Sequence, residues 1–313
     1  MIFNNRVTQM LGVEIPILQA PMGWIARSPL ASAVSEAGAL GIIETSSGEI
    51  DAIRIEIQKM RELTERPFGV NIAQAFVRDP SLVDFVVDQK VRFVTTSAGD
   101  PRQHTARLKD EGLTVFHVVP TLRAAEKAVA AGVDGLVVEG GEGGGFKNPS
   151  PVSSLVLIPL VRSQVDVPII AAGGICDGVS MAAAFALGAE GIQMGTRMVS
   201  AAESPVHVGW KNAIVEAAET DTVFLKPEKG PALRALRTER TERLAAGEGN
   251  PMADLGAGVK EVYFQGNVGA GVALTGEVAG RIDAIRPVSE IIAETVKEYV
   301  ETIRGLSSQI PAK

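Results

Sequence analysis

Apolar residues along this chain fall into short, often β-branched runs, separated by longer segments in which they recur at i, i+3 and i+4. The runs are Ile17–Met22, Leu40–Thr45, Pro67–Ile72, Arg92–Ala98, Thr114–Val119, Gly135–Gly140, Val167–Gly173 and Gly191–Gly195. Near-continuous apolar runs of this length mark strands buried on both faces, as in a parallel sheet. Helical spacing fills residues 28–38, 50–64, 79–89, 100–112, 121–132, 155–164 and 177–188. Eight strands, each separated from the next by one helix-length piece, predict an α/β fold of the (β/α)8 TIM-barrel type. A doubly wound open sheet shares the local alternation and is the alternative. The count of eight, and the gathering of glycine and polar residues at the strands' C-terminal ends, favour the barrel.

After the eighth strand the pattern changes. Residues 204–267 mix Gly, Pro and near-balanced charge, with one helix expected around Pro231–Ala246. This reads as a helical insertion, with a solvated helix and a lid as its two readings, before closing helices near Gly271–Ile282 and Val288–Ile303. The expected division is a barrel of residues 1–203 and 268–313 with an insertion at 204–267.

Composition narrows the partners. Hydrophobic residues make up 46% of the 313 and aromatics 4%, so the core rests on Ala, Val, Ile and Leu. Lys and Arg number 30 against 37 Asp and Glu, with no long basic block, which argues against nucleic acid. One cysteine and three histidines leave no internal disulfide framework and argue against a metal site. The first residues lack a basic segment leading into an apolar run, and no apolar stretch reaches the ~18 residues of a membrane span. A cytoplasmic protein, with a homodimer as one option, is expected.

The candidate chemistry lies in the loops. Ala171-Ala172-Gly173-Gly174-Ile175 and Met194-Gly195-Thr196-Arg197 follow the seventh and eighth strands. In (β/α)8 proteins these loops are the common phosphate site, because glycine lets successive backbone N–H groups face an anion. No Rossmann fingerprint or P-loop is present. The pattern points to FMN or a sugar phosphate.

The ordered motifs resemble the nitronate monooxygenase family, formerly 2-nitropropane dioxygenases, which also includes FMN-dependent enoyl-ACP reductases and NADH:quinone reductases. They are Gln19-Ala20-Pro21-Met22-Gly23, Pro67-Phe68-Gly69-Val70-Asn71, Glu139-Gly140-Gly141-Glu142-Gly143-Gly144-Gly145, the two glycine loops above, and Val262-Tyr263-Phe264-Gln265-Gly266. The resemblance implies non-covalent FMN on the barrel's C-terminal face. Ala20, Pro21, Met22 and Gly23 would run along the isoalloxazine, and Asn71 would hydrogen-bond it. Gly173, Gly174, Gly195 and Thr196 would hold the phosphate, and Gly144 would join the cofactor contacts.

One departure bears on mechanism. Much of the family ends the sixth-strand glycine run in a histidine near the flavin; here Phe146 stands there, followed by Lys147 and Asn148. Phenylalanine exchanges no proton. Lys147 and His117 are the candidates left, each with a bland alternative: a solvated loop lysine and a satisfied core histidine. Cys176 reads as a buried filler. Glu44, Thr45, Thr95, Thr96 and Ser97 are candidate pocket residues without a role.

The resemblance implies an FMN-dependent nitronate monooxygenase, oxidising an alkyl nitronate with O2 to a carbonyl compound and nitrite. A nitronate is already deprotonated, so the missing base is tolerable. The alternatives are an FMN reductase of a quinone or enoyl thioester using NADH or NADPH, and a non-catalytic flavin-binding protein.

Overall fold

The computed structural model describes residues 3–77, 79 and 81–310. Residues 1–2 and 311–313, expected as part of the barrel, and Pro80, in the helix expected at 79–89, lie outside the described residues.

Eight parallel strands form the barrel: β1 (Ile17–Gln19), β2 (Gly41–Ile43), β3 (Phe68–Ala73), β4 (Phe93–Ser97), β5 (Thr114–Val119), β6 (Gly135–Glu139), β8 (Ile169–Ala172) and β9 (Gly191–Met194). Each pairs with its neighbours in chain order, and β1 lies beside β9 with Ile17 opposite Ile192. The ring is nearly closed on the other side of β1, where Gln19 N donates to Leu40 O at 3.1 Å. The expected (β/α)8 fold is therefore present.

Side-chain alternation divides the barrel into two cores. Leu18, Ile42, Phe93, Phe116, Val137 and Ile170 fill the interior, with the Phe93 and Phe116 rings edge to face at 5.3 Å. The intervening residues, such as Val94, Val115 and Val119, pack outward against the helices. The helix Arg6–Leu11 adds Val7 and Leu11 to the interior core. Its start is fixed by reciprocal bonds between Asn5 and Thr8, the capping-box arrangement that satisfies two free N–H groups.

The helices between the barrel strands occupy the segments that the spacing predicts, Ser154–Arg162 beginning one residue early, although 100–112 is divided into a 3-10 turn, Pro101–Gln103, and a short helix, Thr105–Asp110. Arg6–Leu11, Thr196–Val199, Val208–Val215 and Pro251–Val259 are helices outside those segments. The segment after β9 departs further. The single helix expected over Pro231–Ala246 is instead strand β11 (Ala232–Leu236) followed by a helix, Glu239–Ala245. β11 pairs antiparallel with β10 (Thr222–Leu225) on one side and with β7 (Gly145–Lys147), in the loop after β6, on the other. The run ALRAL has good helix formers, but burial of Ala232, Leu233, Ala235 and Leu236 in this small sheet overrides that preference. Thr238 then caps the helix through the Thr241 amide. The closing helix expected near Gly271–Ile282 reduces to a 3-10 turn, Glu277–Arg281, while the last helix runs from Val288 to Ser308.

This cap has its own apolar cluster, including Leu225, Leu233, Leu244 and Val272, against which Phe146 and Leu274 pack. The loop after β6 is thus stitched to a second layer of structure, and this fixes one wall of the site.

Candidate functional site

A cavity of about 700 Å³ opens at the C-terminal ends of the barrel strands. The loop after β1 supplies Ala20, Pro21, Met22 and Gly23, and β3 supplies Asn71. Gly144, Phe146 and Lys147 come from the loop after β6, His117 from β5. Gly173 and Gly174 follow β8, and Gly195 and Thr196 follow β9. Residues far apart in sequence, singled out for separate reasons, line one space.

Backbone geometry makes the β8–β9 corner. Gly173 and Gly174 have φ of +85° and +77°, so two consecutive residues occupy the left-handed region that side chains disfavour. A Cβ on Gly173 would lie 2.9 Å from Gly140 O. Gly195 is different. A Cβ there would meet only Ala20 Cβ at 3.7 Å and Met22 Sδ at 3.9 Å, so the glycine leaves room rather than relieving strain. Gly195 also caps the short helix Thr196–Val199, whose first amides have no partner within the helix. Thr196 Oγ1 accepts from Gly276 N at 2.8 Å, tying this corner to the returning chain.

The loop after β1 is braced from behind. Glu44, fully buried, accepts from Trp24 N at 3.2 Å and Ser47 N at 2.8 Å and pairs with Arg27 at 3.0 Å. Thr45 Oγ1 accepts from Ala73 N at 3.0 Å. These two residues hold the loops in place and are not part of the cavity wall. Asn71 Nδ2 donates to Thr95 Oγ1 at 2.9 Å and lies 3.3 Å from Ser97 Oγ, so its amide is oriented by β4.

The histidine on β5 shares the parity of Val115 and Val119, which face the helices. Its Nδ1 lies 2.7 Å from Thr96 Oγ1. Burial pushes the imidazole down to about 4, with Asp100 opposing and Lys127 assisting. It is a neutral ring at physiological pH.

Lys147 is not a solvated loop lysine. Its side chain is 4% exposed, and Nζ donates to Glu139 Oε1 at 2.5 Å and to Phe146 O at 3.1 Å. The Phe146 ring packs at 5.2 Å from Phe76, and its backbone lies opposite Leu233 of β11. Cys176 lies outside the cavity wall; burial, with Asp177 beside it, pushes its thiol up to about 12. Burial thus favours the protonated thiol over the thiolate at neutral pH.

Sequence reasoning assigned no role to three cavity residues that matter. Gln193, on β9, is 7% exposed, and its Oε1 has no partner among the described residues. Glu139 ends β6, as Asn71 lies near the end of β3, and the same signal, a polar residue closing a buried strand, was there to read. Phe76 had no signal, since it meets Phe146 only in the folded chain. Tyr263, from the Val262–Gly266 motif, also lines the cavity, wedged between Trp24 and Trp210 at ring distances of 6.0 and 4.5 Å. Burial raises its hydroxyl above the usual tyrosine range.

A (β/α)8 barrel with a cavity at its strands' C-terminal ends, bordered by glycine loops after the last two strands, has the site architecture of barrel enzymes. Sequence comparison makes this specific: the chain belongs to the nitronate monooxygenase family, matching it over residues 4–81 and 73–298. It is accordingly an oxidoreductase. It is 31% identical, over 98% of this chain and 99% of the relative, to a (3aS,4S,5R,7aS)-5-hydroxy-7a-methyl-1-oxo-octahydro-1H-indene-4-carboxyl-CoA dehydrogenase of Mycobacterium tuberculosis. It is 28% identical, over 97% of each chain, to a nitronate monooxygenase of Paraburkholderia phytofirmans. Among solved structures, FabK from Thermotoga maritima superposes with a TM-score of 0.92 at 40% identity, covering 98% of this chain and all of that one.

Proposed function

We propose that this chain is an FMN-dependent oxidoreductase that exchanges reducing equivalents between NADH or NADPH and an apolar acyl thioester. The observation that carries the flavin is the convergence of the β8 and β9 glycine loops, the Ala20–Gly23 loop and Asn71 on one cavity. The residues fit the group. Consecutive left-handed glycines can turn successive amides toward a phosphate, and the space beside Gly195 is open. The partnerless Gln193 Oε1 is an acceptor suited to a donor such as the flavin ring N–H. FMN, when bound, supplies the hydride and electron chemistry.

This chain's own residues then position and exclude. Gly173, Gly174, Gly195 and Thr196 would hold the phosphate, and Ala20–Gly23, Gly144 and Asn71 the ring. Phe146 and Phe76 give the open side an apolar wall. The thioester reading is supported by that wall and by the relative whose name specifies an acyl-CoA substrate. His117 is given no proton to move, because burial makes it a weak base and its Nδ1 is turned to Thr96.

Oxidation of an alkyl nitronate with O2 is the second reading, supported by the family and by the Paraburkholderia relative. Anaerobic titration of the flavin-loaded protein separates the two. Bleaching by NADH or NADPH, reversed by an enoyl-CoA, is expected from the first; bleaching by a nitronate and by neither nicotinamide would replace it with the second.

A further inference from the structure

The cavity wall contains two glutamates, Glu139 and Glu142, but among the described residues a single basic side chain of the lysine or arginine kind, Lys147. Glu142 Oε1 accepts from the Ser154 amide and hydroxyl, both at 2.8 Å, while its Oε2 has no partner among the described residues. A buried ammonium needs a counter-charge to be tolerated, and Glu139 supplies it. The two side chains come from the last residues of β6 and β7, and the glycine run crosses over them. A Cβ on Gly143 would lie 3.0 Å from both Glu139 Oε1 and Lys147 Nζ, so the loop's lack of side chains lets the pair sit inside the wall. The ammonium has three N–H donors. Glu139 and Phe146 O take two of them, leaving one for whatever enters the cavity.

Both readings of the site pass through the same chemical feature. Hydride addition to an enoyl thioester leaves negative charge on the carbonyl oxygen of an enolate, and a nitronate carries it on its nitro oxygens. We infer that Lys147 is the oxyanion-binding residue of this site, donating its remaining N–H to the oxygen of an enolate or nitronate, at a place where this chain has no histidine. In the thioester case bound FMN would supply the hydride for the β-carbon, and the displaced C=C π pair would shift through the α-carbon so that charge develops on the carbonyl oxygen. The charge on that oxygen is held by Lys147 until a proton from water reaches the α-carbon. The inference rests on the flavin oxidoreductase reading; flavin content is measured first, so failure of that reading is seen separately as a protein that takes up no FMN.

The test uses flavin-loaded protein and two probes, acetoacetyl-CoA, which ionises to an enolate, and ethyl nitronate under anaerobic conditions. Near-ultraviolet enolate absorbance and flavin bleaching report the two. Lys147→Met is expected to keep its flavin and lose about tenfold or more in affinity for the probe that wild type binds, as for a charge-assisted hydrogen bond, with the enolate band gone. Lys147→Arg is expected to recover part of both. The probe that wild type binds names the source of the oxyanion. Binding by Lys147→Met within twofold of wild type, with an unchanged spectrum, overturns the assignment. Should Lys147→Met not fold, wild type alone decides: acetoacetyl-CoA must bind at least about tenfold more tightly than butyryl-CoA, which lacks the enolate. Equal affinities, with ethyl nitronate also unbound, overturn the assignment.

Discussion

Two corners of one cavity are built by opposite means. The β8–β9 corner is made of backbone: consecutive left-handed glycines, a glycine that leaves space, and the start of a short helix. The β6–β7 corner is made of side chains, Glu139, Phe146 and Lys147, held in place by a cap whose strand β11 pairs with β7. A backbone site tolerates little change in residue type but follows from local sequence. A side-chain site can change its chemistry at one position, as Phe146 illustrates, while its geometry depends on β11, 87 residues away at the Phe146–Leu233 pair.

The largest effect should come from filling the backbone corner. Gly195→Leu adds a side chain where only Ala20 and Met22 are near, so the fold should persist with thermal stability close to wild type. FMN uptake should be abolished. A yellow Gly195→Leu protein with undiminished affinity would break the assignment of that corner.

The second prediction concerns pH. His117 is held at about 4 in the folded chain against about 6.5 unfolded. The unfolded state therefore binds more protons between these values, and stability falls as pH drops from about 6.5 to 4. The loss attributable to this ring reaches about 3 kcal/mol. Denaturant melts of wild type and His117→Gln across that window should show a flatter dependence in the variant; parallel curves would contradict the burial argument.

Phe146→Ala tests the side-chain corner directly. Losing a half-buried ring against Phe76 and the cap core should cost about 1–3 kcal/mol in stability. FMN affinity should stay near wild type, because the backbone corner is untouched, while KM for an acyl thioester rises. An equal loss of FMN would merge the two corners into one cooperative unit.

Cys176→Ala should change least, under about 1 kcal/mol in stability, with activity unchanged. Thiol-labelling kinetics provide the companion check: a thiol pushed up to about 12 should react far more slowly in the folded than in the unfolded chain.

The same contrast explains what could be read in the sequence. Each of the eight barrel strands is visible as an apolar run because burial on both faces forces that composition locally. The glycine loops are visible for the same reason: left-handed φ at Gly173 and Gly174 demands the residue type. The residues at 232–236 were misread because ALRAL satisfies a helix as well as a strand, and only pairing with β7 and β10 decides between them. β7 itself, Gly-Phe-Lys at the end of a glycine run, lies in no apolar run that would mark it as a strand. Lys147 could be named but not placed, since its burial depends on Glu139 and on the absence of a side chain at Gly143. Gln193 was hidden inside a strand that otherwise reads as plain core.

The central claim is that main-chain amides around Gly174 and Gly195 hold a phosphate belonging to a flavin. Equilibrium titration of apoprotein with FMN and, in parallel, with riboflavin, which has the same ring system and no phosphate, tests it most directly. FMN is expected to bind at least about a hundredfold more tightly, the scale of two charge-assisted contacts. Equal affinities for the two, or no binding of either, would contradict it.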